Sequence, residues 1–209
     1  MDHRVRHLSR EVCERCGTLC RDDFSPSFLA RCPAGDPGTL MQFVITNEAG
    51  LSRTDEIVEY LTKPRLWIPE ADYPDFSVWV ERVHGQLKSE DKRAIVAMER
   101  GSIVGAIVYQ KHKTLADTLE LKNISVRPDV SGRYLASFLL RNAEIEGARD
   151  FNVSKATCDA KASNAGIRMF LLRHRYVVQG EADLYRLGAG GDLVFGKSIS
   201  SFPRNRGRF

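Results

Sequence analysis

No stretch of about 18 consecutive apolar residues occurs in the 209-residue chain, so the sequence offers no helix that could cross a bilayer. Met1-Asp2-His3-Arg4 opens the chain without the apolar core of a secretory leader. These absences predict a water-soluble, cytoplasmic protein with no membrane association. Neither sign of charge dominates: 31 Lys and Arg face 27 Asp and Glu, net +4. A diffuse basic coat for nucleic acid is therefore excluded. G-x-S-x-G, P-loop and H-E-x-x-H patterns are all missing. Wholesale disorder is ruled out by the 43% hydrophobic content.

What charge there is lies unevenly. Residues 121–175 carry ten basic against five acidic side chains, and residues 197–209 carry four basic and none acidic. The interior excess predicts a local anion site in that block. Residues 1–40 form a separate extension containing Cys13, Cys16, Cys20 and Cys32 and ending in a Pro- and Gly-rich linker. Residues 41–197 read as one domain, and 198–209 as a basic tail containing Arg204, Arg206 and Arg208. Four thiolates with His3 and His7 nearby have zinc-binding chemistry. Only one CxxC pair is present, however, and Val12, Cys16 and Leu19 also suit one buried helix face, so no metal is assigned.

Within the domain, residues 42–46 predict a first strand. Thr54 predicts a helix cap before Ile57, Val58 and Leu61. Asp75 predicts a second cap, ahead of a stripe of Phe76, Trp79, Val80, Val83 and Leu87. Residues 94–98 and 103–109 predict an antiparallel hairpin. Residues 119–126 predict a third strand, whose apolar positions shift phase between Leu121 and Ile124 and so allow a bulge near Lys122–Asn123. Leu135, Phe138, Leu139 and Ile145 mark a helix closed by Gly147. Residues 153–158 predict a strand, Asn164 opens a further helix, and 176–178, 183–185 and 192–195 are short closing strands. The order is β-α-α-β-β-β-α-β-α followed by the short closing strands, an α/β class with a mixed sheet.

The most informative segment is 119–136, a strand, a Pro-containing turn, Gly132 and a helix start. Unpaired N–H groups and the positive dipole end of such a helix suit a phosphate, and Arg127 and Arg133 add formal charge. With Leu121 to Leu140 and the later Asn164…Phe170…Tyr176, the chain from Gln42 to Lys197 resembles the GNAT superfamily of acyl-CoA N-acyltransferases. The resemblance implies a mixed, splayed central sheet of about six to seven strands with flanking helices. It implies acetyl-CoA as cosubstrate, its pantetheine pairing with the backbone of Ile124, Ser125 and Val126. It also implies that the pyrophosphate rests on Ser131, Gly132, Arg133, Tyr134, Leu135 and Ala136, and that Asn164 contacts the CoA arm. Departures from the family pattern include Ser131, where Arg or Gln is usual, Tyr134, where Gly is usual, and Leu171, where a Tyr commonly protonates the departing thiolate.

The reaction so implied moves an acetyl group directly to a primary amine. It requires an uncharged amine, a route for its proton and a polarised carbonyl. Glu120 is the candidate base, with a pKa raised by burial, and Asp117 is a weaker candidate. Tyr134, Tyr176 and Tyr185 are alternative proton donors in place of Leu171. Cys158 with His174 is a less favoured nucleophile pair. Trp67, Ile68, Tyr73, Phe76 and Trp79 offer an aromatic wall for the acceptor. Other readings are a GNAT-like binding module without turnover, and a toxin-type acetyltransferase acting on aminoacyl-tRNA, the latter suggested by the basic block and tail. Apart from tRNA, no nucleic-acid partner is expected, and a homodimer is one expected assembly.

Overall fold

The computed structural model describes residues 44–48, 53–62, 75–132, 134–184 and 191–199. Cys13, Cys16, Cys20 and Cys32, with His3 and His7, lie outside the described residues, as do Trp67, Ile68, Tyr73, Arg133, Tyr185 and the chain from 200 onward. The elements follow in the predicted order: β1 (Val44–Glu48), α1 (Thr54–Thr62), α2 (Phe76–Lys88), β2 (Lys92–Glu99), β3 (Ser102–Lys111), β4 (Thr118–Val126), a 3-10 turn (Pro128–Val130), α3 (Leu135–Phe151), β5 (Lys155–Lys161), α4 (Ala165–Arg173), β6 (Val177–Ala182) and β7 (Asp192–Ser198). The strands form one seven-stranded mixed sheet in the order β1-β2-β3-β4-β5-β7-β6.

Strand alternation divides the core into two layers, one on each face of the sheet. Ala94, Val96, Met98, Ala106 and Val108 point to one face and pack beneath Ile57, Leu61, Val83 and Leu87 of α1 and α2. Ile95, Ile107, Tyr109, Leu119 and Leu121 point to the other and pack beneath Leu135, Leu139, Leu140 and Ala143 of α3 and Leu171 of α4. The predicted stripe on α2 is real, with Val83 and Leu87 buried and Trp79 and Val80 partly so. Asp75 stands at the predicted N-cap position but does not cap: it is left-handed (φ 58°) and its side chain bonds no helix N–H. The hairpin between β2 and β3 turns through Arg100 and Gly101, both at positive φ (48° and 81°), the conformation of a tight two-residue turn.

Three further expectations are corrected. Gly147 does not end α3, which continues to Phe151 and stops at the left-handed Asn152. A Cβ on Gly147 would stand 2.5 Å from both methyls of fully buried Leu119, so glycine is required there for the close approach of α3 to β4. Residues 183–184 are not strand, because the Leu184 N–H donates to Asp192 (3.1 Å) and turns the chain back. Strand β5 begins at Lys155 and runs on to Lys161, beyond the predicted end, where the Lys161 ammonium lies 3.0 and 3.1 Å from the oxygens of buried Asp192.

The bulge that the sequence allows is present. Between Ala106↔Ser125 and Val108↔Lys122, β3 advances two residues while β4 advances three, and Asn123 takes φ 50° to absorb the extra one. The bulge restores phase, so that Ile124 and Val126 pack on the same core layer as Leu119 and Leu121.

Candidate active site

The two central strands run parallel for only part of their length. Strands β4 and β5 pair from Thr118↔Lys155 to Leu121↔Cys158 and no further. Beyond that point β4 still pairs with β3, and β5 with β7. Among the described residues, no strand pairs with the β5-facing edge of Lys122–Val126. The expected splay is therefore observed, and it opens immediately before the bulge. The N–H and C=O groups along that edge can accept an extended ligand as an added strand.

The start of α3 lies just beyond the β4 end of this opening. The first N–H of α3 to bond in the helix is that of Phe138, to Tyr134 C=O (2.9 Å), and no side chain caps the helix. The N–H groups of Leu135, Ala136 and Ser137 precede it and have no partner within the helix. Gly132 (φ 78°) and Tyr134 (φ 59°) are both left-handed. Tyr134 thus holds a backbone conformation costly for a bulky residue, at a position where the resemblance leads to the expectation of Gly. Its ring points outward, 57% exposed. The Ser131 hydroxyl donates to Pro128 C=O (2.6 Å), and the Leu135 side chain is buried in the core, so these two residues could bind a ligand only through the backbone.

Arg127 does not supply free charge to this loop. Its guanidinium lies 2.6 and 2.8 Å from the Asp129 carboxylate and 3.2 Å from Glu99, and the hydrogen bonds to Asp129, followed by the carboxylate charges, raise its pKa. The basic excess of residues 121–175 is thus partly consumed within the fold.

Where the strands part, one cation joins two carboxylates across the gap. Lys122 Nζ on β4 lies 2.9 Å from Glu120 Oε1, two residues back on the same face, and 3.1 Å from Asp159 Oδ1 on β5. Gln110 of β3 also donates to Glu120. Burial pushes the Glu120 carboxyl up. The Lys122 charge and the hydrogen bonds from Lys122 and Gln110 outweigh that and hold it below the ordinary carboxylate range. The expected raised pKa is therefore overturned: the Glu120 carboxyl is ionised and a weaker proton acceptor than expected. On the same sheet face Lys92 is depressed to about 8, first by burial and then by the Lys122 charge. The sequence places Asp159 beside the cleft but assigns no role to it or to Lys122. The available signal was the i, i+2 charge pattern Glu120-x-Lys122 and Asp159-x-Lys161, which puts charges on one face of each strand.

The other candidates separate cleanly. Asn164 caps α4, its Oδ1 accepting from Ile167 N–H (3.1 Å), which leaves its amide NH2 for a ligand. Leu171 is buried in the core and has no proton to donate. Tyr176 is buried with its hydroxyl on Glu144 (3.0 Å), and burial, then the Glu144 charge, pushes its pKa far up, so it is no acid for the cleft. Burial pushes the Cys158 thiol up to about 12, and His174 Nε2 meets Ser137 Oγ (2.9 Å) instead, so the two form no nucleophile pair. Asp117 precedes β4, at the strand end away from the opening, and accepts from the Ser154 N–H and hydroxyl, which lower its pKa. Phe76 and Trp79 stack at 6.0 Å on α2, whereas Trp67, Ile68 and Tyr73 lie outside the described residues.

Solved structures share this arrangement. A GNAT-family protein from Desulfovibrio desulfuricans superposes with a TM-score of 0.63 at 13% identity, over 76% of this chain and 99% of that one. The ribosomal-protein-S5-alanine acetyltransferase from Vibrio fischeri gives 0.58 at 15%, over 76% and 93%. The PaiA N-acetyltransferase from Thermoplasma acidophilum, solved with coenzyme A, gives 0.55 at 15%, over 74% and 99%. At these identities the likeness establishes the fold. No curated protein matches the chain in sequence. Residues 55–174 match the sequence profile of the acetyltransferase (GNAT) family, more than half of the chain and the whole stretch from α1 through α4. The chain belongs to the acetyltransferase (GNAT) family.

Proposed function

We propose that the protein is an acetyl-CoA-dependent N-acetyltransferase that moves an acetyl group directly onto a primary amine. The observation that carries this reading is the parting of β4 from β5 after Leu121 and Cys158, with the start of α3 beyond its β4 side. The open edge at Ile124, Ser125 and Val126 suits pairing with the pantetheine amides. The N–H groups of the loop and helix start, from Ser131 to Ala136, suit the pyrophosphate. The Asn164 NH2 is available to the CoA arm. The solved relative from Thermoplasma acidophilum, which binds coenzyme A, supports the same assignment.

In the transfer, the amine nitrogen attacks the thioester carbonyl, the C–N bond forms and the C–S bond breaks. Backbone N–H groups at Ile124–Val126 polarise the carbonyl. Glu120, ionised across neutral pH, draws the acceptor ammonium to the opening and takes its proton. The thiolate takes a proton from water, since Leu171 has none to give. An acyl-enzyme route through Cys158 is disfavoured by its burial and its high pKa.

Calorimetry with acetyl-CoA, followed by thiol release with a panel of primary amines, tests the reading. Binding and turnover are expected, and Glu120→Gln should lower the rate at neutral pH. No binding at sub-millimolar cofactor would overturn the proposal. Binding without turnover would favour the second reading, a GNAT-like module without chemistry, for which Leu171 is the specific observation. An unchanged rate in Glu120→Gln would remove Glu120 from the mechanism.

A further inference from the structure

The basic side chains that remain after the cleft is built gather elsewhere. Between α3, the end of α4 and the end of β7 lies a solvent-open cavity of about 490 Å3 lined by Arg141, Arg173, His174, Arg175, Lys197 and Ser198, with Ile199. Its chemistry is organised from below by Glu144, 2% exposed, which accepts from Lys197 Nζ (2.6 Å), Tyr176 OH (3.0 Å) and Arg141 (3.3 Å). Arg141, Arg173, Arg175 and Lys197 bring four cationic side chains to the cavity, and Glu144 lies against two of them, Arg141 and Lys197. The guanidinium groups of Arg173 and Arg175 make no hydrogen bond or ion pair among the described residues. Burial and then the Lys197 charge lower the His174 pKa, which is consistent with positive potential at this spot.

The cavity is set apart from the cleft. Ser198 on its rim pairs with Lys155 at the start of β5, while the splay opens at the other end of that strand, towards Lys161. Pairing of β4 with β5 ends at Cys158, three residue steps along β5 from Lys155, about 10 Å. The His174–Ser137 contact ties α4 to α3 one helical turn nearer the cleft than Arg141.

We propose that this cavity is a second anion site that takes a compact phosphorylated ligand of the mono- or diphosphate class, independently of the cofactor. Two guanidinium forks can grip phosphate oxygens bidentately, and a concave site of this size holds a small polyanion. Lys197 and Arg141, positioned by Glu144, add charge from the floor and the α3 side. Residues 200–209 include three Arg and no Asp or Glu.

Inorganic pyrophosphate is the probe, titrated calorimetrically into the full chain with and without saturating coenzyme A. One pyrophosphate should still bind when coenzyme A is present, and Arg173→Ala/Arg175→Ala should weaken that binding by tenfold or more. Displacement of this pyrophosphate by coenzyme A would overturn the proposal, because the cavity would then belong to the cofactor cleft. Equal affinity in the double variant would overturn it as well. If coenzyme A itself fails to bind, the double variant alone decides: loss of one bound pyrophosphate supports the site, and unchanged stoichiometry and affinity refute it. Both arginines are exposed, and circular dichroism of the variant checks that the fold is retained.

Discussion

Replacing Lys122 by Met leaves two carboxylates facing one another where β4 and β5 part. One nitrogen lies 2.9 Å from a Glu120 oxygen and 3.1 Å from an Asp159 oxygen, so these oxygens are at most 6.0 Å apart. Two unit charges at that distance repel by roughly 3 kcal/mol at an effective dielectric constant near 20, and partial solvent access reduces this to about 2 kcal/mol. The substitution should therefore lower stability at pH 7.5 by about 2 kcal/mol, or roughly 4–8 °C in Tm for a chain of this size. The sign of the pH dependence follows from linkage. In the natural protein the folded Glu120 pKa is depressed, so its stabilising contribution is full above the ordinary carboxylate pKa and is lost as pH falls through the folded value. Without Lys122 the depression disappears, and the repulsion is relieved on acidification as one carboxyl takes a proton. The gap between variant and natural protein should therefore be widest near neutrality and should narrow towards pH 4.5. Urea unfolding at the two pH values measures it, with Lys122→Arg as the charge-conserving control. A gap of the same size at both pH values, or none at pH 7.5, would refute the ion-pair argument.

Three further outcomes are expected. Gly147→Ala should cost about 1–3 kcal/mol in urea unfolding despite alanine's better helix propensity, because its Cβ would stand 2.5 Å from the buried Leu119 methyls. Tyr134→Gly should raise stability by up to about 1 kcal/mol, because it relieves a left-handed bulky residue whose exposed ring packs little; an unchanged or lower Tm would count against strain at the start of α3. Cys158, with its thiol near 12, should resist iodoacetamide at pH 8 in the folded chain and react after denaturation, as read by peptide mass mapping; equal labelling in both states would contradict its burial.

Periodicity made most of the architecture readable. Apolar spacing located the four α-helices among the described residues and the central strands, and the phase shift between Leu121 and Ile124 left room for the bulge. Closely packed backbone was not readable: Gly147 looks like a helix end in sequence and is instead the contact point for Leu119, a relation 28 residues long. Within the site, the loop and its family resemblance located the cleft, whereas the electrostatics went the other way. Glu120 reads as a buried acid when taken alone. Its ionisation is set by Lys122 and Gln110, and Lys122 in turn reaches Asp159 on another strand. Arg127 adds formal charge beside the loop in sequence, but in the fold it is paired with Glu99 and Asp129. Net charge over a segment counts side chains and ignores their partners. The basic block of residues 121–175 therefore pointed to an anion, but the arginines without partners among the described residues stand at the far end of α4.

The bulge at Asn123 sets which way the end of β4 faces. If the strand were straightened at its present length, Ile124 and Val126 would turn to the polar face that carries Glu120 and Lys122, and Ser125 would turn into the α3 core. Deleting Asn123 would instead give uninterrupted alternation, with Ile124 and Val126 still on the face of Leu119 and Leu121. The two faces of β4 beside the opening therefore depend on one left-handed residue as well as on the kinds of residues that line them.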